Sequence, residues 1–453
     1  MKKIISIVFV AAALFGCMVG PKYTRPSMPA PSAYHEANSY IVPGDSIANL
    51  KWFDLFKDPT LKSLLDTTLK RNFNLKIAVA RIDQATETYG IAKAQLLPSL
   101  GYSAGATESF GNNGSGNTFS LGAGLSWEID LWGKIRHAKR AALDDLLASQ
   151  EGKKVVQSAL VASMAGAYFQ LRDYDNRLKI SMETRTSREA AYEIQKDRFD
   201  QGYISEWDVL QAKQLVADAE ASIAAYQRAR SLVEHFMCTL MAVPPTSVSR
   251  GLENAAQPLP PAMPGGLPST LLEQRPDVKQ AEYSYMREVE RIGIAQAQRF
   301  PTLNLSGAIG FGSNSISSLV TSDAFAGSVS QGLLGPIFEF GKNKRRVTAQ
   351  QKAAEIAALQ YQSTYITAIQ EVEDALVSIE TLTNELAARN RQLESASKVV
   401  ILSQARYDNG VTSYLELLDA QRTLFETQLL VSTVQQQQLN AYVDLYRALG
   451  GGW

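Results

Sequence analysis

Cysteine is nearly absent from this chain. Cys17 and Cys238 are the only two among 453 residues, and the three histidines, His35, His137 and His235, are scattered. So few soft ligands exclude a disulfide framework and leave no metal-binding cluster. His235 lies three residues before Cys238, yet two ligands without a third and fourth make a poor site, so Cys238 reads as a small buried hydrophobe. An excess of either charge is missing as well: 45 basic and 45 acidic side chains cancel. Nothing would steer the chain toward nucleic acid or an anionic surface. The one basic run, Lys342-Asn-Lys-Arg-Arg346, sits where a helix leaves a strand, so no nucleic-acid partner is expected. Also lacking is a phosphate-binding loop ending in Gly-Lys-Ser or Gly-Lys-Thr, or any catalytic constellation. The chain is not expected to be an enzyme, to bind a metal, or to carry a cofactor other than a covalent lipid.

What is present begins with an export signal. Lys2 and Lys3 precede an apolar run from Ile4 to Phe15, and Gly16-Cys17 forms a small-residue junction. That run is too short to span a bilayer. Leu14-Phe-Gly-Cys17 resembles a bacterial lipobox, whose cysteine becomes the first mature residue and is acylated on its thiol. The next residue is Met18 rather than an Asp, which by the usual sorting rule addresses the protein to the outer membrane.

The chain then says the same thing twice. Ile91-Ala-Lys-Ala-Gln-Leu-Leu-Pro-Ser-Leu100 returns as Ile294-Ala-Gln-Ala-Gln-Arg-Phe-Pro-Thr-Leu303, about 205 residues on. Arg198-Phe-Asp-Gln-Gly202 with Ser205 returns as Arg406-Tyr-Asp-Asn-Gly410 with Ser413. A duplicated unit builds a pseudo-symmetric object. The reading is residues 1–16 as signal peptide, 17–57 as a lipidated extended segment, 58–243 as the first repeat, 244–275 as a proline-rich crossover, and 276–453 as the second repeat. From Pro244 to Pro276 lie eight of the 17 prolines, which block both ladder and helix.

Residues 134 to 199 contain no proline and only Gly152 and Gly166. As one helix they would run ~100 Å. Residues 342 to 407 repeat this, with Ile366, Ile369, Val372, Leu376 and Ile379 as an apolar seam. No compact core covers helices of that length, so they must pack along neighbours. Between helices the period changes to two. Phe119, Leu121, Ala123, Leu125, Trp127, Ile129 and Leu131 alternate with Ser, Gly, Glu and Asp, giving a strand with one oily and one wet side. Strands are expected at about 99–110, 117–131, 302–313 and 323–334, with the Gly111 to Gly116 run as a hairpin loop. Each is near the ~9–11 residues that cross a bilayer.

Four strands leave two edges whose N–H and C=O groups would face lipid unpaired, at several kcal/mol each. Oligomerisation is the escape, and two, three or four copies would all give known barrel sizes. A lipid-anchored scaffold would have no use for such strands.

The ordered motifs resemble those of the outer membrane factors of tripartite efflux pumps, the TolC-like family, and within it the NodT-type lipoproteins. They are Gly16-Cys-Met-Val-Gly-Pro-Lys-Tyr-Thr-Arg-Pro26, Trp52-Phe-Asp-Leu-Phe56 with Asp58-Pro59, Leu267-Pro-Ser-Thr-Leu-Leu272 with Arg275-Pro-Asp277, and Ala448-Leu-Gly-Gly-Gly-Trp453. The resemblance implies an α+β membrane protein with an internal two-fold repeat. Three chains would form a 12-stranded transmembrane β-barrel, four strands each, continuous with a long periplasmic α-helical barrel and an equatorial belt. It also implies three kinds of partner: two further copies in a homotrimer within outer membrane lipid, a periplasmic adaptor protein, and an inner membrane RND-type pump. Its function would be that of a passive exit duct for drugs or small toxic compounds. Ducts for metal ions or secreted protein belong to the same class, but the nine methionines show no clustered run.

At the far ends of the long helices, Gly202 and Gly410 suit the left-handed position after a helix. Ser205 and Ser413 suit the next N-caps, with Asp208 and Glu416 placed to complete capping boxes. By resemblance these tips, Arg198, Asp200, Gly202 and Ser205 with Arg406, Asp408, Gly410 and Ser413, dock the adaptor. Leu415, Asp419 and Arg422 share one helical face, and in a symmetric tube one lumenal side chain becomes a ring. The family's closed aperture matches these positions through Leu417-Leu-Asp-Ala-Gln-Arg422. Leu415 and Asp419 are the expected constriction, with Arg422 and Tyr407 holding it through interhelix bonds.

Overall fold

The computed structural model describes residues 18–28, 56–111, 114–258 and 274–451. The signal segment, Cys17 and most of the crossover prolines lie outside the described residues. The first repeat builds α1 (Pro59–Arg71), α2 (Phe73–Ala94), β1 (Ser99–Gly111), β2 (Gly114–Ile129), α3 (Lys134–Asp200) and α4 (Glu206–Leu240). The second builds α5 (Pro276–Ala297), β3 (Thr302–Ser313), β4 (Phe325–Leu334), α6 (Lys342–Asp408) and α7 (Tyr414–Ala448). Corresponding helices match in length: 22 residues for α2 and α5, 67 for α3 and α6, 35 for α4 and α7. The chain forms two compact units, one from residues 1–28, 79–151 and 279–364, the other from 29–78, 152–278 and 365–453.

The first unit carries an antiparallel sheet in the order β1-β2-β3-β4, so β1 and β4 are its edges. Register puts Leu100, Leu125, Gly307 and Val329 in one row, and Tyr102, Ala123, Ile309 and Gly327 in the next. That oily face is open, with Tyr102 89% and Val329 83% exposed. The opposite face is mostly glycine, serine and other small or polar residues, and there the backbones of β2 and β3 approach closely. A Cβ on Gly310 would stand 2.5 Å from the Leu121 carbonyl oxygen, and one on its partner Gly122 2.9 Å from that of Ile309.

Four strand limits differ from the alternation pattern. The β1–β2 ladder runs on to Gly111 opposite Gly114, so pairing extends into the run expected as the hairpin loop. β2 ends at Ile129 rather than Leu131, because the Asp130 carboxylate turns to accept the backbone N–H groups of Ile135 and Arg136 at 3.2 and 2.9 Å. β4 starts at Phe325, since Ser322–Ala324 wind into a 3₁₀ turn.

The segment after the lipobox is fastened to this unit. His137, 3% exposed, faces Glu290 through Nδ1 at 2.5 Å and the Val19 carbonyl through Nε2 at 3.0 Å. Gly293 leaves room for that ring: a Cβ there would lie 2.3 Å from it. Tyr23 and Arg25 both donate to Glu282, at 2.7 and 2.9 Å. Beside this anchor Asp144 is buried, and burial first, then repulsion from Glu290 and Asp145, pushes its pKa up to about 7. The raised value means the folded state binds this proton more tightly than the unfolded chain, so stability falls as pH rises from 3.8 to about 7. Asp144→Asn is therefore expected to raise the melting temperature at pH 8 and to leave it unchanged at pH 4, as checked by thermal melts in detergent.

The second unit is held by side chains that no sequence window connects. Leu61, Leu65, Met164, Tyr168, Leu171, Met237 and Cys238 are fully buried in its core. Cys238 sits there as a hydrophobe would, its Sγ against the Thr246 carbonyl at 3.3 Å. Asp58 caps α1 by accepting from the Thr60 N–H at 2.8 Å. Its other oxygen accepts from Tyr168 Oη at 2.6 Å, the Leu252 N–H at 2.8 Å and Gln257 Nε2 at 2.9 Å. Burial alone would raise the Asp58 pKa, but these bonds outweigh it and hold the carboxyl below its usual range. Arg275, 6% exposed, joins Asp277 and Glu371 and donates to the Ala448 carbonyl at 2.8 Å. That bond fastens the start of α5 to the end of α7. The C-terminal glycines answer the same packing: a Cβ on Gly451 would meet the Tyr446 ring at 2.4 Å, while its carbonyl accepts from Ser158 Oγ at 2.7 Å.

Candidate functional site: the helix tips

Both long helices stop in the same way. Gly202 and Gly410 adopt φ of +78° and +71°, which only glycine takes without strain. In each, the glycine N–H returns to a carbonyl three residues back and the following N–H to one five back. These are Gly202 to Phe199 and Tyr203 to Arg198 in one repeat, Gly410 to Tyr407 and Val411 to Arg406 in the other. This double bond is the Schellman stop. Ser205 and Ser413 then take extended N-cap geometry.

The two caps differ in their side chains. The Asp208 carboxylate accepts from the Ser205 N–H at 3.3 Å and its hydroxyl at 2.9 Å. The box expected between Ser413 and Glu416 does not form, because Glu416, one methylene longer than Asp208, reaches Thr412 and Arg406 instead. Arg406 and Glu416 stand 3.4 Å apart and are about half exposed, a surface pair of little energetic weight. Asp200 and Asp408 end their helices in solvent, the latter accepting from Gln404 at 2.9 Å.

Beneath the turns the repeats are stitched together. Tyr407 Oη on α6 accepts from Arg198 Nη1 on α3 at 2.8 Å and donates to Gln195 Oε1 at 3.1 Å. The Arg198 guanidinium also lies 5.2 Å from the Tyr407 ring centre. On the other helix pair, Arg422 Nη2 of α7 donates to Gln211 Oε1 of α4 at 3.3 Å. A small core of Ala212, Leu215, Tyr414, Leu417 and Leu418 supports both links. Burial pushes the Tyr414 phenol up to about 12, helped by Tyr407 and Asp208, so it stays protonated. Leu415 and Asp419 are exposed on the face away from that core.

Gln195 escaped sequence reasoning, although one signal was available. The first repeat has Phe199 where the second has Tyr407, so only one copy carries the hydroxyl, and a hydroxyl beside a core needs a partner. The tips also expose Tyr203 (75%), Val411 (66%), Leu210 (54%) and Trp207 (52%). Tyr203 and Val411 hold equivalent places in the two repeats.

A sheet with one oily face and two open edges, joined to paired helices of 67 and 35 residues, defines one subunit of an outer membrane channel. The model of the outer membrane efflux protein family matches residues 64–234 and 267–451, and the chain belongs to that family. It is 32% identical over 458 residues to the solvent efflux pump outer membrane protein SrpC of Pseudomonas putida, covering 98% of this chain and 97% of that one. It is 29% identical to SilC, a probable outer membrane lipoprotein of Salmonella typhimurium, over 99% of this chain and 98% of that one. The fold resembles that of the open outer membrane channel MtrE of Neisseria gonorrhoeae, with a TM-score of 0.88 at 28% identity, covering 96% of this chain and 98% of that one. The protein is thus a component of an efflux system in the outer membrane, and not an enzyme.

Proposed function

We propose that three copies join edge to edge into a passive exit duct for drugs or other small toxic compounds, gated at its periplasmic tip. The observation that carries this is the sheet: β1 and β4 are edges and the apolar face is open, so lipid burial demands that copies pair. Three chains of four strands make a 12-stranded barrel, within the range of bacterial barrels. The duct is anchored further by a lipid on Cys17 and receives its cargo from an RND-type pump through an adaptor. The exposed Tyr203, Trp207, Leu210 and Val411 offer the adaptor an apolar landing at the tips. Leu415 supplies an apolar ring and Asp419 a ring of three carboxylates, which favours cations. The solvent efflux named for SrpC supports a cargo of apolar toxic molecules.

Single-channel recording in a planar bilayer tests this. The protein is expected to conduct with a preference for cations, and Leu415→Ala with Asp419→Ala is expected to raise conductance and lose that preference. Absence of current from a folded, inserted oligomer would sink the duct, while unchanged current and selectivity in the double variant would sink the aperture assignment alone.

A further inference from the structure

Inside each chain the two repeats meet at one joint, where the end of β2 and the start of α3 rest on α5 and the start of β3. Three contacts define it. β2 and β3 pair with Leu125 opposite Gly307. Beyond the ladder the Trp132 ring stacks on Phe300 at 4.5 Å, and its Nε1 donates to the Pro301 carbonyl at 2.8 Å. Further along α3, His137 faces Glu290 at 2.5 Å beside Gly293. The duplication places a second set of these surfaces on the same unit. A step of 203 residues, Pro98 to Pro301, carries α2 and β1 onto α5 and β3, while one of 208, Gly133 to Gly341, carries β2 and α3 onto β4 and α6. The hairpin registers obey both steps: Ser99 opposite Ser126 becomes Thr302 opposite Leu334. Under them Phe340 stands for Trp132, Arg345 for His137, Leu97 for Phe300, Glu87 for Glu290 and Gly90 for Gly293. These two halves of a joint lie at opposite edges of the sheet, β4 and β1, so they cannot meet within a chain. Phe340 is 88% and Leu97 68% exposed. Glu87 and Arg345 are exposed too, and neither has a side-chain bond among the described residues. A Cβ on Gly293 would lie 2.3 Å from the His137 ring, whereas nothing comes within 4 Å of one on Gly90. Glycine inside a helix costs about 0.5–1 kcal/mol relative to alanine, so Gly90 weakens α2 with no contact in the chain to offset it.

We propose that the seam between copies repeats this inner joint, with α2 and β1 of the next copy taking the place of α5 and β3. The inference rests on the edge-to-edge reading above and adds which residues meet. Carrying Leu125 opposite Gly307 through both steps sets Leu333 opposite Ala104 of the next copy. Phe340 then covers Leu97 and Pro98 of that copy, an apolar seat only, since Phe340 lacks the indole N–H of Trp132. Arg345 reaches Glu87 of the next copy across the open side of Gly90. The basic run Lys342-Asn-Lys-Arg-Arg346 thereby gains an acidic partner without nucleic acid.

Two measurements on the full-length protein in detergent test it. Ala104→Cys with Leu333→Cys is expected to give covalent dimers and trimers on mild oxidation, seen on a denaturing gel. Within one chain β1 and β4 are three strand spacings apart, ~14 Å, beyond the reach of a disulfide, so the bond joins two copies. Ala104→Cys with Val329→Cys, four residues along β4, is expected to give little. The second measurement is the rate at which the oligomer dissociates on dilution. Glu87→Arg and Arg345→Glu each set like charges together at the seam, at a cost of several kcal/mol, and each is expected to speed dissociation at least about tenfold. Both residues are exposed in the single chain, so neither reversal disturbs its fold, and the two combined are expected to return most of the lost stability. An oligomer that forms without the 104–333 disulfide, or whose two reversals fail to rescue each other, would overturn the seam and leave the duct standing. A native protein that stays single-copy in detergent would overturn both.

Discussion

Asp58→Ala is expected to destabilise the helical unit by about 2–4 kcal/mol, from an N-cap worth about 1 kcal/mol together with a buried hydroxyl left without its acceptor at about 1–3 kcal/mol. Asp58 and Tyr168 are both fully buried, and one carboxylate satisfies the Tyr168 hydroxyl, the Leu252 and Thr60 N–H groups and the Gln257 amide together. Alanine leaves the buried Tyr168 hydroxyl without its acceptor. It also removes the N-cap of α1, where the helix begins at Pro59. Helical circular dichroism on heating in detergent measures the loss. The pH dependence has a definite sign. Because the folded pKa lies below the ordinary carboxyl value of 3.8, the stabilisation is present above pH 3.8 and disappears as pH falls through the folded value. The gap between native protein and variant should therefore be widest near neutrality and close in acid. A variant that melts with the native protein at pH 7 would show that Asp58 does not organise this region.

The second large effect is expected at the tips. Tyr407→Phe combined with Arg422→Ala removes the bonds to Arg198, Gln195 and Gln211, while keeping the Tyr407 ring that Arg198 overlies. Hydrogen bonds involving a charged partner contribute about 1.5–3 kcal/mol each, and in a trimer the change is made three times. A shift of 1.4 kcal/mol is already tenfold in a two-state equilibrium. The double variant is expected to spend at least about tenfold more time open, seen as longer and larger current steps in a planar bilayer. An unchanged open fraction would mean that these links serve packing alone.

How far the chain could be read without coordinates varied with the range of the interaction. The strands were legible because lipid on one side and water on the other impose a period of two, visible at Phe119 to Ile129 within a dozen residues. The helix stops were legible for the same reason, since Gly202 and Gly410 act on their own turn. What could not be read is every link that joins distant segments: Tyr407 to Arg198, Asp58 to Tyr168, His137 to Val19 and Glu290, and Arg188 to Leu215 and Asp218. No periodicity marks these, because each rests on a single side chain meeting another from far along the chain. The Ser413 cap shows the limit at short range too. Its pattern was right, but Glu416 had nearer partners in Thr412 and Arg406.

The matched lengths of the duplicated helices constrain how such a gene can change. Deleting one residue from α3 alone would draw its tip back about 1.5 Å and rotate it about 100°, turning Arg198 away from the Tyr407 hydroxyl. Lengthening or shortening is tolerated only when both copies change together and by close to whole numbers of turns, so insertions should accumulate in the loops and the crossover and spare the shafts.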